Sequence, residues 1–393
     1  MKITHSEKQS FFLDELMKGR NIFLTGKAGT GKSFIVKEAI KILKKQGQRI
    51  IALAPTGIAS YNIGGQTLHS MFGLPINGVM EYKECSFLKS AKRKILKKVD
   101  VIFIDEVSML RPDMLDALHW TLVKNGLGKL TNKQLIFVGD LKQLPAPIDD
   151  NTMSVLLTKY DGFKFHDCQM YNDLQVEKIE LDFIHRQSDP DFIEALNVVR
   201  DGGKSDYFKQ FVSEDASGIV LAPHNATVAK YNIEGLAAIK SKNYNFKAKL
   251  TGNAKAYDFT LEENLNLKDG CKIMYLVNSK ENPLYNGSLG VFRMKKGLPY
   301  IEIEKTQWLI EHSIMDKKAY VYNDFTKEIE MQEIGSMTQL PVKLAYALTI
   351  HKFQGLTFDE ITVDLSRKCF AKGQLYTALS RVKTPKGLKI KIK

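Results

Sequence analysis

The sequence predicts an α/β fold built on parallel sheets, and three features carry that prediction. From Asn21 to Val138, short continuous apolar runs alternate with helix-length segments. The first of those runs leads straight into Gly26–Ser33 (GKAGTGKS), a Gly-rich turn opening a helix. From about Lys255 to Met337 the character changes to short β-like runs separated by Gly, Asn and Pro, after which the α/β pattern returns.

Asn21–Thr25 (NIFLT) reads as a buried strand. Lys32–Gln46 reads as a helix, with Ile35, Ala39, Ile42 and Leu43 at helical spacing and Gly47 as its stop. Arg49–Ala54, Val101–Ile104 and Gln134–Val138 are further strands. Continuously apolar strands separated by helices imply a parallel sheet covered on both faces. In such sheets chemistry gathers at the carboxyl ends of the strands. Tyr171–Ala222 reads as the start of a second α/β domain, with a helix at Asp191–Arg200 and a strand at Gly218–Leu221. The runs Lys272–Val277, Leu289–Met294, Tyr300–Ile303 and Lys318–Tyr322 suggest a small β-barrel or sheet insert. Leu344–Ile350, Glu360–Asp364 and a strand near Leu388–Ile392 then resume the second domain. The expected boundaries are 1–172 for the first domain, 173–254 with 340–393 for the second, and 255–339 for the insert.

A length of 393 residues suggests two to four domains at roughly 100–200 residues each. With 44% apolar and 26% charged residues, a disordered, collagen-like or membrane-embedded chain is excluded. The 57 Lys and Arg exceed the 44 Asp and Glu by 13, which raises the expectation of a polyanionic partner, nucleic acid above all. The charge is uneven. Lys83–Lys98 carries seven basic residues and one acidic, while Asp173–Asp215 carries eleven acidic and five basic. Leu88, Ala91, Ile95 and Val99 give the basic stretch one apolar helical face, so it reads equally as a nucleic-acid face or a solvated helix. Cys85, Cys168, Cys271 and Cys369 form no CxxC pair, which opposes a zinc site or disulfide framework and fits a reducing compartment. Met1–Leu13 is too polar for a secretory signal, and no apolar run approaches the ~18 residues of a membrane span.

Gly26–Ser33 fits G-x-x-x-x-G-K-[ST] between a strand and a helix. Gly29 and Gly31 let the backbone turn so that its N–H groups face a phosphate, and the helix N-terminus adds a favourable dipole. Lys32 is expected to reach the β- and γ-phosphates, and Ser33 to ligate Mg²⁺. Asp105 and Glu106 end the strand VIFI. Asp105 is expected to hold Mg²⁺ and Glu106 to polarise the attacking water; the alternative is an Asp that caps the next helix. Gln143, in Gly139–Pro145 (GDLKQLP), can sense a γ-phosphate or hold the water from the next strand end. Arg186 in DFIHRQ and Arg381 in YTALSRV are either transition-state arginines supplied by a second domain or surface ion pairs. Thr67–Gly73 (TLHSMFG) and Ile350–Gly355 (IHKFQG) mix rings, cations and amides as a single-strand track does, though a core His or Phe is the bland alternative.

These segments, in this order, resemble superfamily-one helicases of the B branch, most closely the petite-integration-frequency (Pif) helicases, with RecD-like and phage Dda-like helicases as near relatives. The strongest match is Ala54–Gly73 (APTGIASYNIGGQTLHSMFG), supported by GKAGTGKS, IDEVSML, GDLKQLP, FIHRQ, LYNGSLGVF, IHKFQG and YTALSRV. The resemblance covers almost the whole chain. It implies two RecA-like P-loop domains with ATP and Mg²⁺ between them, a small wedge insertion at about 74–98 and an SH3-like β-barrel insertion in the second domain. It implies a nucleotide site of Gly26, Ala28, Gly29, Thr30, Gly31, Lys32, Ser33 and Gly355, with Gln9 reading adenine. Arg186 and Arg381 become γ-phosphate arginines, and Pro55, Thr56, His69, Phe72, His351 and Lys352 lie along single-stranded DNA.

The implied activity is ATP-driven 5′→3′ movement and unwinding of forked duplex DNA by a monomer, with no membrane partner. The setting is intracellular, a bacterial or phage-infected cytoplasm foremost, with nucleus or mitochondrion open. The chain resembles a bare helicase core. Ala146 stands where the family usually has a second proline, and Phe353 where it commonly has serine. The residues leave open an RNA helicase of the same superfamily, a P-loop ATPase without motor activity, and a non-catalytic binder.

Overall fold

The apolar runs pair as parallel strands in two separate sheets, one in each of two compact units. The computed structural model describes residues 5–75, 78–279, 282–353 and 356–392. The first unit comprises Met1–Arg186 with Lys318–Gln332, and the second comprises Gln187–Lys317 with Glu333–Lys393.

In the first unit, β1 (Ile22–Gly26), β2 (Ile50–Ala54), β3 (Gln66–Thr67), β4 (Val101–Ile104), β5 (Gln134–Val138) and β6 (Glu177–Leu181) form one sheet in the order β3-β2-β4-β5-β1-β6. All neighbours are parallel. Alternate strand residues face opposite ways. Ile22, Leu24, Ile50, Val101 and Phe103 pack with Phe12 and Leu16 of α1 (Glu7–Met17) and Ile35, Ala39 and Leu43 of α2 (Lys32–Lys45). Phe23, Ile51, Leu53, Ile102 and Ile104 face a second cluster, which includes Leu115, Leu118 and Leu122 of the helix Pro112–Lys124.

The tip of the strand pair Ser313–Tyr322 and Ile329–Gln339 belongs to this unit. β3 pairs only with Leu53 and Ala54, so the edge of β2 is uncovered at Ala52. The Tyr320 hydroxyl fills that gap, accepting from Ala52 N at 2.8 Å and lying 3.3 Å from Ala52 O. Buried backbone polar groups need such partners.

Three expectations need correction. The first domain does not stop at 172. β6 pairs with β1 from Ile22 to Gly26, and it hides from a search for apolar runs because it is an edge strand with exposed Lys178 and half-exposed Glu177 and Glu180. The β region starts before 255, since Asn243–Lys247 pairs with Asn264–Lys268 and Lys249–Gly252 with Ile329–Gln339. The basic stretch is helical only over Ser90–Lys98, and its buried face uses Leu96 where Ala91 was expected; Ala91 is exposed. The stretch 74–98, where a wedge insertion is expected, is anchored by Leu74, Met80, Cys85 and Leu88 packing into the unit's core and by Arg111 and Asp113 holding the backbone of Gly78 and Met80. Ile76 and Asn77 lie outside the described residues.

The second unit carries a four-stranded parallel sheet in the order Ala347–Thr349, Ile219–Ala222, Ile361–Asp364, Leu388–Lys391. Its β region forms further sheets, one with the order Thr306–Leu309, Leu298–Ile303, Leu289–Lys295, Lys272–Tyr275, Val342–Leu344, all antiparallel. Leu265, Leu267, Ile273, Phe292, Ile301 and Val342 form its core.

Candidate active site

The carboxyl ends of the first sheet's strands form one row. Pro55 and Thr56 follow β2, Asp105 and Glu106 follow β4, and Asp140 and Gln143 lie beyond β5. The Gly26–Ser33 loop follows β1, and the segment to Arg186 follows β6. Strand order alone therefore brings together residues spread over some 160 positions.

The loop wraps tightly. Gly29 (φ +83°) and Gly31 (φ +81°) take backbone conformations that side chains rarely adopt. A Cβ on Gly29 would lie 2.5 Å from the Arg186 Cβ, and one on Gly31 would lie 3.2 Å from Gln9 Nε2. His185 N donates to Gly29 O at 2.8 Å, so β6 and its exit segment close over the loop. Gln9 is placed by a reciprocal cap in which its N–H donates to Ser6 Oγ (3.2 Å) and its Oε1 accepts from Ser6 N (3.1 Å). That arrangement leaves Nε2 facing Gly31. Thr30 Oγ1 donates to Lys27 O at 2.9 Å, and Ala28 is buried. Ser33 is exposed in the first turn of α2.

Lys32 Nζ donates to Gly26 O (2.7 Å) and Lys27 O (2.9 Å), curling the ammonium back over the loop. Burial pulls its pKa down; Asp140, Glu106 and Asp105 pull the other way, and Arg186 adds to the lowering. Asp105 is pushed above the ordinary carboxylate range by burial first and by the Glu106 carboxylate second. Its Oδ1 accepts from Glu106 N at 2.8 Å. Glu106 sits at φ +53°, ψ +45°, a left-handed conformation costing about 1–3 kcal/mol for a non-glycine residue. Strain of this kind tends to collect at working sites. Gln143 is buried, with Nε2 3.4 Å from Asp140 Oδ2 and its N–H donating to Asp140 O at 2.9 Å.

In the first unit two contributors, Asp140 and His185, gave little sign in the sequence. Asp140, 1% exposed, is the largest acidic influence on Lys32; its signal was its place directly after β5 and Gly139. His185 left no signal beyond standing next to Arg186. Arg186 itself, expected in the second domain, belongs to the first unit beside the loop.

Arg381 lies in the second unit and is 2% exposed. Its Nε donates to Thr377 O (2.9 Å) and Nη2 to Ser380 Oγ (3.2 Å). Gln187 brackets it, donating to Ser380 O and Val382 O at 3.1 Å each. Sequence reading did not single out Gln187.

The residues expected along a nucleic acid divide. Pro55 and half-buried Thr56, which caps the helix Gly57–Ile63, sit at the β2 end. His69 is half-buried, and burial first, then Arg111, lowers its pKa. Phe72, expected along the strand, is instead 0% exposed and packs in the core with Leu68 and Met71; the five-residue helix Leu68–Phe72 turns that ring inward. His351 lies after Ala347–Thr349 in the second unit, half-buried, with its pKa lowered by burial. Lys352 follows in the turn Ile350–Phe353; its side chain, that of Phe353, and all of Gly355 lie outside what is described.

The hard oxygens of Asp105 and Ser33 suit Mg²⁺, which takes one or two protein ligands beside phosphate. A buried carboxyl held above its ordinary range, as Asp105 is, is one that a divalent cation would stabilise as the anion. No cluster of three His, Cys, Asp or Glu able to hold a metal occurs among the described residues. Among them, no helix is long and apolar enough to cross a membrane.

A family model described as PIF1-like helicase matches residues 6–210. The ATP-dependent DNA helicase Pif1 of Campylobacter jejuni is 29% identical over 413 residues, covering 96% of this chain and 90% of that protein. The crystal structure of Bacteroides sp. Pif1 in complex with ADP-AlF4 superposes with a TM-score of 0.86 at 32% identity, covering 99% of this chain and 92% of that one. Bacteroides Pif1 bound to ssDNA matches at the same identity and coverage with a TM-score of 0.70.

Proposed function

The chain belongs to the PIF1-like helicase family, and from that premise we propose an ATP-dependent DNA helicase that moves 5′→3′ on single-stranded DNA and opens the duplex ahead. The observation that carries this reading is the single row of Lys32, Asp105, Glu106, Asp140 and Arg186 at the carboxyl edge of one sheet.

The roles follow from the chemistry. Gln9 reads adenine while the loop N–H groups and the α2 N-terminus hold phosphate. Lys32 exchanges its two carbonyl partners for β- and γ-phosphate oxygens. Glu106 orients and polarises the attacking water, and Gln143 senses the γ-phosphate from the next strand. Arg186 and Arg381 stabilise charge on the equatorial oxygens. Asp105 and Ser33 would hold Mg²⁺, which when bound neutralises phosphate charge. Pro55, Thr56, His69, His351 and Lys352 serve the strand, without Phe72. The working form in this reading is a single chain inside the cell.

The test is ATPase activity with single-stranded DNA or RNA of equal length. DNA should stimulate turnover, and Glu106→Gln should abolish it while nucleotide binding persists. Stimulation by RNA alone would move the assignment to an RNA helicase. Turnover indifferent to both would leave a P-loop ATPase without motor activity.

A further inference from the structure

Three adjacent strands of the second sheet end in rings. Ala347–Thr349 leads to His351, Ile219–Ala222 to His224, and Ile361–Asp364 to the loop carrying Phe370. The Phe370 ring stacks on His351 at 6.0 Å between centroids and 16° between planes, and meets His224 at 5.2 Å and 46°. Both separations suit aromatic packing, yet Phe370 remains 61% exposed. An exposed phenyl braced on two imidazoles costs apolar hydration that folding alone does not recover.

The rings are held in place. Gln374, fully buried, accepts from Phe370 N at 3.1 Å through Oε1, and its Nε2 lies 3.4 Å from Pro223 O, beside His224. One side-chain amide thus ties the Phe370 loop to the His224 turn. Asp364 anchors the start of the loop by accepting from Ser366 N at 2.8 Å. His224 Nε2 lies 3.1 Å from Lys368 O. On the same loop, within three residues of Phe370, Arg367, Lys368 and Lys372 are exposed, and no acidic side chain pairs with them among the described residues.

We propose that Phe370, braced by His224 and His351, is a base-stacking shelf for single-stranded DNA at the carboxyl edge of the second sheet. A flat exposed ring accepts any base, while surrounding cations take the phosphates, the combination that sequence-tolerant single-strand binding requires. A partner protein's apolar side chain would fit the ring but not the unpaired cations. The inference rests on the helicase reading and adds to it a residue, Phe370, and a positioning residue, Gln374.

The experiment measures binding of the full chain to oligothymidylate and to an equally long strand that lacks bases throughout. Phe370→Ala and Phe370→Leu should each weaken oligothymidylate binding by roughly 5- to 150-fold, the value of one stacked base. Phe370→Trp should retain it. On the abasic strand all three variants should match the wild type. Equal losses on both strands, or no loss on oligothymidylate, would overturn the shelf, including in favour of a protein-docking ring. Thermal unfolding of Phe370→Leu, which keeps apolar bulk, separates loss of stacking from loss of fold. A wild-type chain that bound neither strand would remove the helicase reading as well, whereas one that bound both with Phe370→Ala unchanged would remove only the shelf.

Discussion

The two parallel sheets share an architecture and differ in what stands at their strand ends. The first sheet ends in glycines, a lysine, carboxylates and an amide, set close enough to shift one another's protonation. The second ends in two imidazoles and a phenyl ring among exposed cations. It also divides its tasks along its length. Arg381 lies by the amino end of Ile361–Asp364, where Phe358 N donates to its carbonyl at 2.9 Å, whereas Phe370 follows the carboxyl end. The same scaffold thus presents a glycine-rich, charged loop edge in one copy, and in the other an exposed stack of rings at the carboxyl edge with a buried arginine at the amino edge. Strand order decides where chemistry can sit, and the loop residues decide which chemistry it is.

The comparison breaks if either edge does the other's work. The largest effect should come from Arg381→Ala, which should cut DNA-stimulated hydrolysis by roughly 10³- to 10⁵-fold with ATP binding nearly intact. Steady-state ATPase and nucleotide titration check it, and a loss below about tenfold would make Arg381 structural.

Next comes Phe72→Ala. A ring buried in the first unit's core should cost about 3–5 kcal/mol in stability, read by denaturant unfolding. If stability held and strand affinity fell, the ring would belong to the nucleic-acid track after all.

The smallest effect concerns the amino ends of β2 and β4. Asp100 accepts from Arg49 Nε (2.8 Å), Nη2 (2.6 Å) and N (2.9 Å). Burial opposes ionisation of Asp100, but the bonds from Arg49 outweigh it and its pKa falls below the ordinary carboxylate value. A depressed folded pKa contributes stability above the unfolded value and loses it as pH falls through the folded one. The half-exposed pair should therefore contribute about 1 kcal/mol at most, vanishing as pH drops below ~4. Asp100→Asn should flatten that part of the stability-pH curve, and an unchanged curve would show that the pair contributes nothing.

Much of the first edge was legible because its signals are local. A five-residue apolar strand, a glycine turn and a lysine at fixed spacing announce themselves within Ile22–Ser33. What failed was non-local or too short. β6 is an edge strand whose polar residues broke the apolar run, and this misplaced Arg186 in the wrong domain. The helix Leu68–Phe72 is too short for periodicity to say which ring turns inward. The shelf joins His224, His351 and Phe370 across some 146 positions, a meeting that only the order of the second sheet creates.

The most direct test is ATP-driven unwinding of duplexes that carry only a 5′ tail or only a 3′ tail, each made in DNA and in RNA. Unwinding of the 5′-tailed DNA substrate is expected, and its loss in Glu106→Gln. Unwinding confined to 3′-tailed or RNA substrates, or ATP consumption with no unwinding of any, would contradict that expectation.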